Sequence, residues 1–453
     1  MKKIRKRATL APALFAIATR SERASMANPR LHRTALSVLI CFGLTGVARA
    51  SDLTDLLQHT LDNPAIAASE MQSQAAASDA NAANLRYFGQ AGVFAGQYRY
   101  DSPRIVGVFA PGVTPLPVPV SQDITQYGVN YHLPVDVFGV IAAERKQAQA
   151  GSATAQLLAR QETLLRLHQT LSAYVRLQAL AAQAQALDAE QQQLEEYARR
   201  VREEVRVGRT ARLDLSLVQS DLARLDAQRA IFGGNRQAAL AALKASANAV
   251  VPSVSATIVV PALQNSVAQT SLPVALSKEG ENTADAIAQK ARSSLFPSIS
   301  VDSQYTNYEG TLVQNHAWAV GLNMNIPIDP VGIQNASAAM QRARAAHDRS
   351  QAVQADTIAQ IAALEANYQS AAGNARALAA EVERHREVVA IEREKWQLGA
   401  GTMDALLYQE RNLLDAQYTL ADACAQAATA WSGMQTLLGT PATQYIDSLG
   451  AKP

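Results

Sequence analysis

The stretch from Trp318 to Gly332, WAVGLNMNIPIDPVG, joins two physically different kinds of segment. Trp318, Val320, Leu322, Met324 and Ile326 alternate with Ala319, Gly321, Asn323 and Asn325, so a strand built from them has one apolar face and one small or polar face. Beyond Pro327, Asp329 and Gly332 the period changes, and the sequence is alanine-rich and helical as far as about Leu398. At ~1.5 Å per residue such a helix is roughly 100 Å long, several times the width of a globular domain.

The same transition occurs earlier in YGVNYHLPVDVFG, Tyr127 to Gly139. Pro134, Asp136 and Gly139 match Pro327, Asp329 and Gly332 at one constant offset, and Gly128 matches Gly321. The chain therefore reads as a duplicated strand-to-long-helix unit.

Composition fits long helices better than a globular core. Only 5% of the 453 residues are aromatic, and the apolar share leans on alanine. A net charge of +2 provides no basic surface for nucleic acid. Residues 34–47, TALSVLICFGLTGV, follow Arg30, His32 and Arg33 and precede Ala48-Arg49-Ala50, the pattern of a secretory signal with an A-x-A site, so the mature chain is expected to begin at Ser51. Residues 1–50 form this signal region, with Met26 as an alternative start. Cys424 is then the only cysteine of the mature chain and is expected as a thiol inside a helix. No later apolar stretch reaches the ~20 residues of a membrane helix, so a membrane would have to be crossed by strands.

In chain order, a helix is expected over 53–88 with a break at Asn63-Pro64, a strand over 93–101, a proline-rich loop over 102–120, and a second strand over 122–133. A helix over 141–207 follows, in which Leu157, Leu164 and Leu171 are spaced by seven, as are Leu180, Leu187, Leu194 and Val201. It returns over 213–246, which closes a first repeat of residues 51–246. Residues 247–282 read as a linker, 283–440 as a second, shortened repeat, and 441–453 as a tail. The second repeat is expected to hold a short helix over 283–294, strands over 298–308 and 316–326, a helix ending at Leu398 and a return helix over 403–438.

Four amphipathic strands suit an outer membrane but cannot close a barrel, and an open edge in lipid leaves backbone groups unpaired at several kcal/mol each. Other copies must supply the missing strands: two copies give an eight-strand barrel filled by side chains, while three give twelve strands with room for a lumen, and three-fold symmetry suits a conduit. The fold class is thus mainly α with a membrane β part: long antiparallel coiled-coil helices forming an α-barrel, and four strands per chain contributing to a trimeric twelve-strand β-barrel.

The duplicated junction and the paired turns VGRTARLD (Val207 to Asp214) and LGAGTMD (Leu398 to Asp404) resemble the outer membrane factors of tripartite efflux pumps and type I secretion, the TolC-like proteins. The resemblance covers most of residues 52–440. It implies a homotrimeric efflux duct in outer membrane lipid, with a periplasmic extension whose tip meets a periplasmic adaptor (membrane fusion) protein linked to an inner-membrane pump. By the same resemblance Val207, Gly208, Arg209, Leu398, Gly399 and Ala400 are the adaptor-docking turns, Asp214 and Asp404 line the periplasmic entrance, and Trp396 stands where the family often has a constricting aromatic. The sequence departs from the family in a second turn one residue shorter, in Gly401 where an arginine can help latch the entrance, and in a curtailed helix before the third strand.

Plainer readings stand beside these. Asp214 and Asp404 each open a return helix, where an aspartate also caps. Trp396 continues the seven-residue spacing from Val389 as seam packing. The charge run EEYARRVREEVR, residues 195–206, reads as a solvated helix face. The seven histidines show no metal-ligand spacing, and nucleophile elbows, phosphate loops and paired cysteines are absent, so no enzyme activity, cofactor or metal is expected. A type I secretion duct and a trimeric coiled-coil surface protein are the alternatives in function.

Overall fold

The computed structural model describes residues 39–41, 50–108, 112, 118–249, 254–263, 271–311 and 313–450. The chain opens with two helices, α1 (Ala50–Leu61) and α2 (Pro64–Leu85), separated where expected. Asn63 is the reason for the break: its side chain accepts from the Ala65 N–H at 2.9 Å while Pro64 occupies the first helical position. A single 3-10 turn, Arg86–Phe88, leads into a hairpin of β2 (Gln90–Ile105) and β3 (Val120–Val135).

The first long helix, α3 (Val140–Arg206), has 67 residues, and α4 (Arg212–Ala247) returns beside it with 36. The second half repeats the plan in α5 (Leu272–Ser293), β5 (Ser298–Gly310), β6 (Gln314–Asn325), α6 (Pro330–Gln397, 68 residues) and α7 (Met403–Leu438, 36 residues). The leucine spacing of α3 has its expected consequence. Leu164, Leu171, Leu180, Leu187, Leu194 and Val201 are all buried, each contributing roughly 1.5–3 kcal/mol through area removed from water.

The packing follows one rule. α3 and α6 run unbroken, and each of the other two columns is made of two shorter helices in line. The Asn63 amide donates to the Ser246 carbonyl at 2.8 Å, which sets the start of α2 on the end of α4. Gly439, which ends α7, abuts Leu272 at the start of α5, and Arg160 of α3 donates to the Gly439 carbonyl. The helices therefore stand in the order α2/α4, α3, α5/α7, α6. The antiparallel sheet has the same order, β2-β3-β5-β6, because each strand is joined directly to the helix of its own column.

Several boundaries differ from expectation. α5 begins at Leu272, so residues 272–282, expected in the linker, are helix; Pro273 sits in its first turn, where proline is tolerated. With 22 residues α5 equals α2, and what the second half lacks is a counterpart of α1. β2 continues to Ile105 through Pro103, because the register shifts between Arg99 and Arg104 and the proline falls in the unpaired gap. Residues 442–450 of the expected tail form α8 (Ala442–Gly450), whose Tyr445 packs on Trp431 with ring centroids 5.3 Å apart.

Most of the expected signal segment lies outside the described residues. Its Leu39–Cys41 form a short strand, β1, paired antiparallel with β4 (Ile258–Val260) and running beside α7. This pairing belongs to the whole 453-residue chain, and processing at Ala50 would remove β1. Cys424, expected as a free helix-interior thiol, is fully buried and disulfide-bonded.

Near the start of α3, Glu144 ties three columns together: it accepts from Arg86 and from Lys290 of α5, the latter at 2.9 Å. Burial pushes its pKa up, but the hydrogen bonds and charges of Lys290 and Arg86 outweigh burial and hold it below the usual glutamate range. A carboxylate depressed in the folded state contributes stability above its unfolded pKa and loses it as pH falls through the folded value. Glu144→Gln is therefore expected to lower unfolding stability by about 1–2 kcal/mol at neutral pH. In thermal melts followed by circular dichroism, the gap from the parent should shrink as pH falls below the ordinary glutamate value; a pH-independent gap would contradict the assignment.

Candidate functional site

The sheet has two faces of opposite character. Paired residues across an antiparallel sheet share a face, so the register aligns Val93, Val129, Tyr305 and Trp318 in one row, with Leu133, Val301 and Leu322 and then Val135, Ile299 and Met324 in others. This apolar face is open: Val93 is 87% exposed, Trp318 74% and Leu322 72%. The other face carries Gly92, Asn130, Gln304 and Ala319, and below them Gln90, His132, Asp302 and Gly321. Asp302 there receives His132, Asn323 and the Ser300 hydroxyl, the last at 2.9 Å. Phe94 and Tyr98 lie on this polar face, opposite in direction to Tyr127, Tyr131 and Tyr305, so the strand aromatics do not form one set.

The matched Pro-x-Asp-x-x-Gly junctions start their helices in two ways. Asp329 is itself the N-cap of α6 and accepts from the Val331 N–H at 2.9 Å, with Pro330 in the first position and Gly332 inside the helix. Asp136 reaches further, accepting from the Ala142 N–H at 2.8 Å, while Gly139 caps α3 in the left-handed conformation. Pro134 and Pro327 precede these caps, Pro134 opposite Ser300 in the sheet. Beside the junctions, Phe138 stacks on Phe296 at 5.0 Å.

At the far end, the two helix-to-helix turns share one construction. Gly208 and Gly399 have φ of 76° and 74°, the left-handed region that suits glycine. The following N–H groups reach back into the preceding helix, from Arg209 to the Glu204 carbonyl and from Ala400 to the Lys395 carbonyl, both at 2.8 Å. Val207, Leu398 and Leu213 project into solvent, Leu398 with 76% of its surface exposed.

The expected entrance residues separate. Asp214 and Asp404 both fall in the first turns of their helices, and neither caps. Thr402 caps α7, accepting from the Ala405 N–H at 3.2 Å, and Ala211 precedes α4 with no side-chain bond. Asp404 is exposed and Asp214 half-buried. Trp396 is packed between hairpins, edge-on to Tyr197 at 5.3 Å with the Arg200 guanidinium 4.6 Å above its ring. The 195–206 charge run pairs within itself, as in Arg200 with Glu204 at 3.1 Å, on an exposed face where such pairs add little stability.

A set of buried charges above the turns was absent from the sequence reading. Glu410 of α7, 2% exposed, accepts from the Tyr197 hydroxyl at 3.0 Å and from Arg393 of α6 at 2.9 Å. Glu190, hydrogen-bonded to Glu410, has its pKa raised well above the usual glutamate range by burial and then by the Glu410 charge. Asp221 of α4, 4% exposed, receives Arg411 of α7 through both carboxylate oxygens. The available signal was a charge inside an apolar seam: Glu410 lies between Leu406, Leu407 and Leu414, and Asp221 between Val218 and Leu225.

Comparison with known proteins matches the outer membrane efflux protein family model over residues 56–249 and 269–440. Curated protein sequences give no match. Among solved structures, the outer membrane protein VceC from Vibrio cholerae is similar at TM-score 0.74 and 17% identity, covering 86% of this chain and 96% of its own. The Campylobacter jejuni CmeC outer membrane channel gives 0.73 and 16%, covering 88% and 89%. The Neisseria gonorrhoeae MtrE outer membrane channel, in its open state, gives 0.72 and 16%, covering 91% and 97%. At these identities the structures speak for the fold.

The cap assignment is testable by hydrogen exchange. Thr402→Ala is expected to weaken the first turn of α7 by about 1 kcal/mol, seen as faster exchange of the Ala405 amide, while Asp404→Asn changes it by less than half as much. Equal effects would return the cap to Asp404.

Proposed function

Because the chain belongs to the outer membrane efflux protein family, we propose that three copies form one export duct: a twelve-strand barrel in the outer membrane of a Gram-negative bacterium, continued by a helical tube into the periplasm. The observation that supports it most is the open apolar face running across all four strands of a sheet with two free edges. In water that face would be an association surface, and in lipid it is at home. The strands have 12 to 16 residues, enough to cross when tilted. Among the described residues no helix is long and apolar enough to cross instead. The first and second repeats, 51–246 and 283–440 with the connection between them, each supply one hairpin and one helix-turn-helix to the wall.

The duct is passive. Substrate enters at the helical tip from an inner-membrane pump and leaves through the barrel, whose polar face lines the lumen. The exposed turns Val207-Gly208-Arg209 and Leu398-Gly399-Ala400 meet the periplasmic adaptor. Their apolar residues Val207 and Leu398, with an open backbone at each glycine, allow close docking. Asp404, exposed and without a capping duty, contributes with Asp214 a ring of carboxylates at the entrance, where it favours cations. Trp396 acts there as packing between hairpins that shapes the entrance.

Planar-bilayer recording of the detergent-purified protein, with its mass determined on the same sample, tests this reading. A trimer with stable, cation-selective openings is expected, with a lower cation-to-anion permeability ratio for Asp404→Ala. A protein that does not insert, or inserts without conducting, would contradict it.

A further inference from the structure

The polar face of the sheet carries its charge at one place. Across the rows from Pro134–Ser300–Asn323, beside the junctions, to Tyr98–Ile124–Gly310, every side chain on this face is uncharged at neutral pH except Asp302 and its partner His132. The phenols of Tyr98 and Tyr308 lose their protons only near pH ~10. Arg99, Asp123 and Glu309 fall on the opposite face, at the loop end of the strands.

His132 and Asp302 are cross-strand partners, with Nδ1 2.5 Å from Oδ1. Asn323 of β6 and the Ser300 hydroxyl both donate to Oδ2, the latter at 2.9 Å. From the neighbouring strands the same row presents Gln90 and Gly321, neither of them ionisable. At the junctions, Asp136 is bound to the Ala142 N–H, Asp329 to the Val331 N–H and Arg86 to Glu144. The pair itself stays wet, with 50% of the His132 side chain and 37% of the Asp302 side chain exposed.

An imidazole exchanges its proton between about pH 5 and 8, a window in which an ordinary aspartate stays ionised. Neutral His132 can donate one N–H to Asp302 and leave the pair negative. The imidazolium makes the same contact and cancels that charge, so protonation changes the sign of the site and keeps its geometry. In a twelve-strand barrel, strands ~4.8 Å apart and tilted by ~40° stand roughly 12 Å from the axis, and inward side chains come closer. That is about one Debye length at 0.1 M salt, so the pairs act on a passing ion there, and they are screened at 1 M, where the length is about 3 Å.

We propose that Asp302 is a specificity-determining residue of the duct: three copies place a ring of carboxylates at the base of the barrel that selects cations, and protonation of His132 switches the ring off. This rests on the duct reading, which puts the polar face on the lumen. The ring lies at the opposite end of the long helices from Asp214 and Asp404.

The test uses the full chain, purified in detergent and recorded in planar bilayers under a KCl gradient near 0.1 M, where screening is weak. The parent's cation-to-anion permeability ratio should fall several-fold between about pH 8.5 and pH 5. His132→Gln, which keeps the carboxylate and removes the proton site, should hold the high ratio at both pH values. Asp302→Asn should start low and turn toward anions at the lower pH, since His132 then charges without a partner. Asp404→Ala should lower the ratio at both pH values and leave the step between them. A pair that only pinned the strands together would leave the ratio alone. A His132→Gln channel with the parent's pH step, or an Asp302→Asn channel with the parent's ratio at high pH, would overturn the proposal while the duct reading stands. A parent that conducts no current overturns both.

Discussion

An unpaired row of backbone N–H and C=O groups cannot be left in hydrocarbon, and β2 and β6 each present one. Much else in the architecture answers to that constraint. The sheet cannot close on itself with four strands, so in the proposed duct it meets other copies along both edges. Because every strand is joined to the helix of its own column, the edges of the sheet are also the edges of the helical wall: β2 with α2 and α4 on one side, β6 with α6 on the other. In the proposed duct, closing the barrel therefore closes the tube.

The columns also explain the peculiar lengths. A 67- or 68-residue helix beside two shorter ones of 22 and 36 residues keeps the wall two-layered in sequence but single in thickness, and the joints between the short helices are held by Asn63 on Ser246 and by Arg160 on Gly439. Those joints lie where α1, α8 and β4 add their residues to the apolar cores around α3 and α7. The wall thus has a thick middle and two thinner ends. One end exposes the apolar face of the sheet; the other is drawn into a bundle by leucines and buried ion pairs.

Much of this was legible in the sequence because it rests on period. The alternation through Trp318–Asn325 marks a strand with two unlike faces, and the seven-residue spacing of Leu164, Leu171, Leu187 and Leu194 marks a seam, whatever surrounds them. The glycines of the two turns were readable for the same local reason. What was not legible depends on where distant segments meet. The start of α5 at Leu272 was hidden by a proline that looks like a breaker and is in fact tolerated in a first turn. The capping role fell to Thr402 rather than Asp404, a matter of two residues in how the turn closes. Glu410 and Asp221 looked like ordinary helix charges; only their partners, roughly 190 residues away in one case and on a different hairpin in the other, make them buried.

In the proposed duct the free edges β2 and β6 pair between copies, and the ring closes at three. Disulfide trapping tests it directly: Ala95→Cys on β2 combined, one at a time, with cysteines along β6 from Ala317 to Asn323, oxidised in membranes and separated under denaturing conditions. Cross-links are expected at positions alternating along β6, producing linked dimers and trimers and no larger species. A ladder extending beyond three chains, or no cross-link at any position, would contradict it.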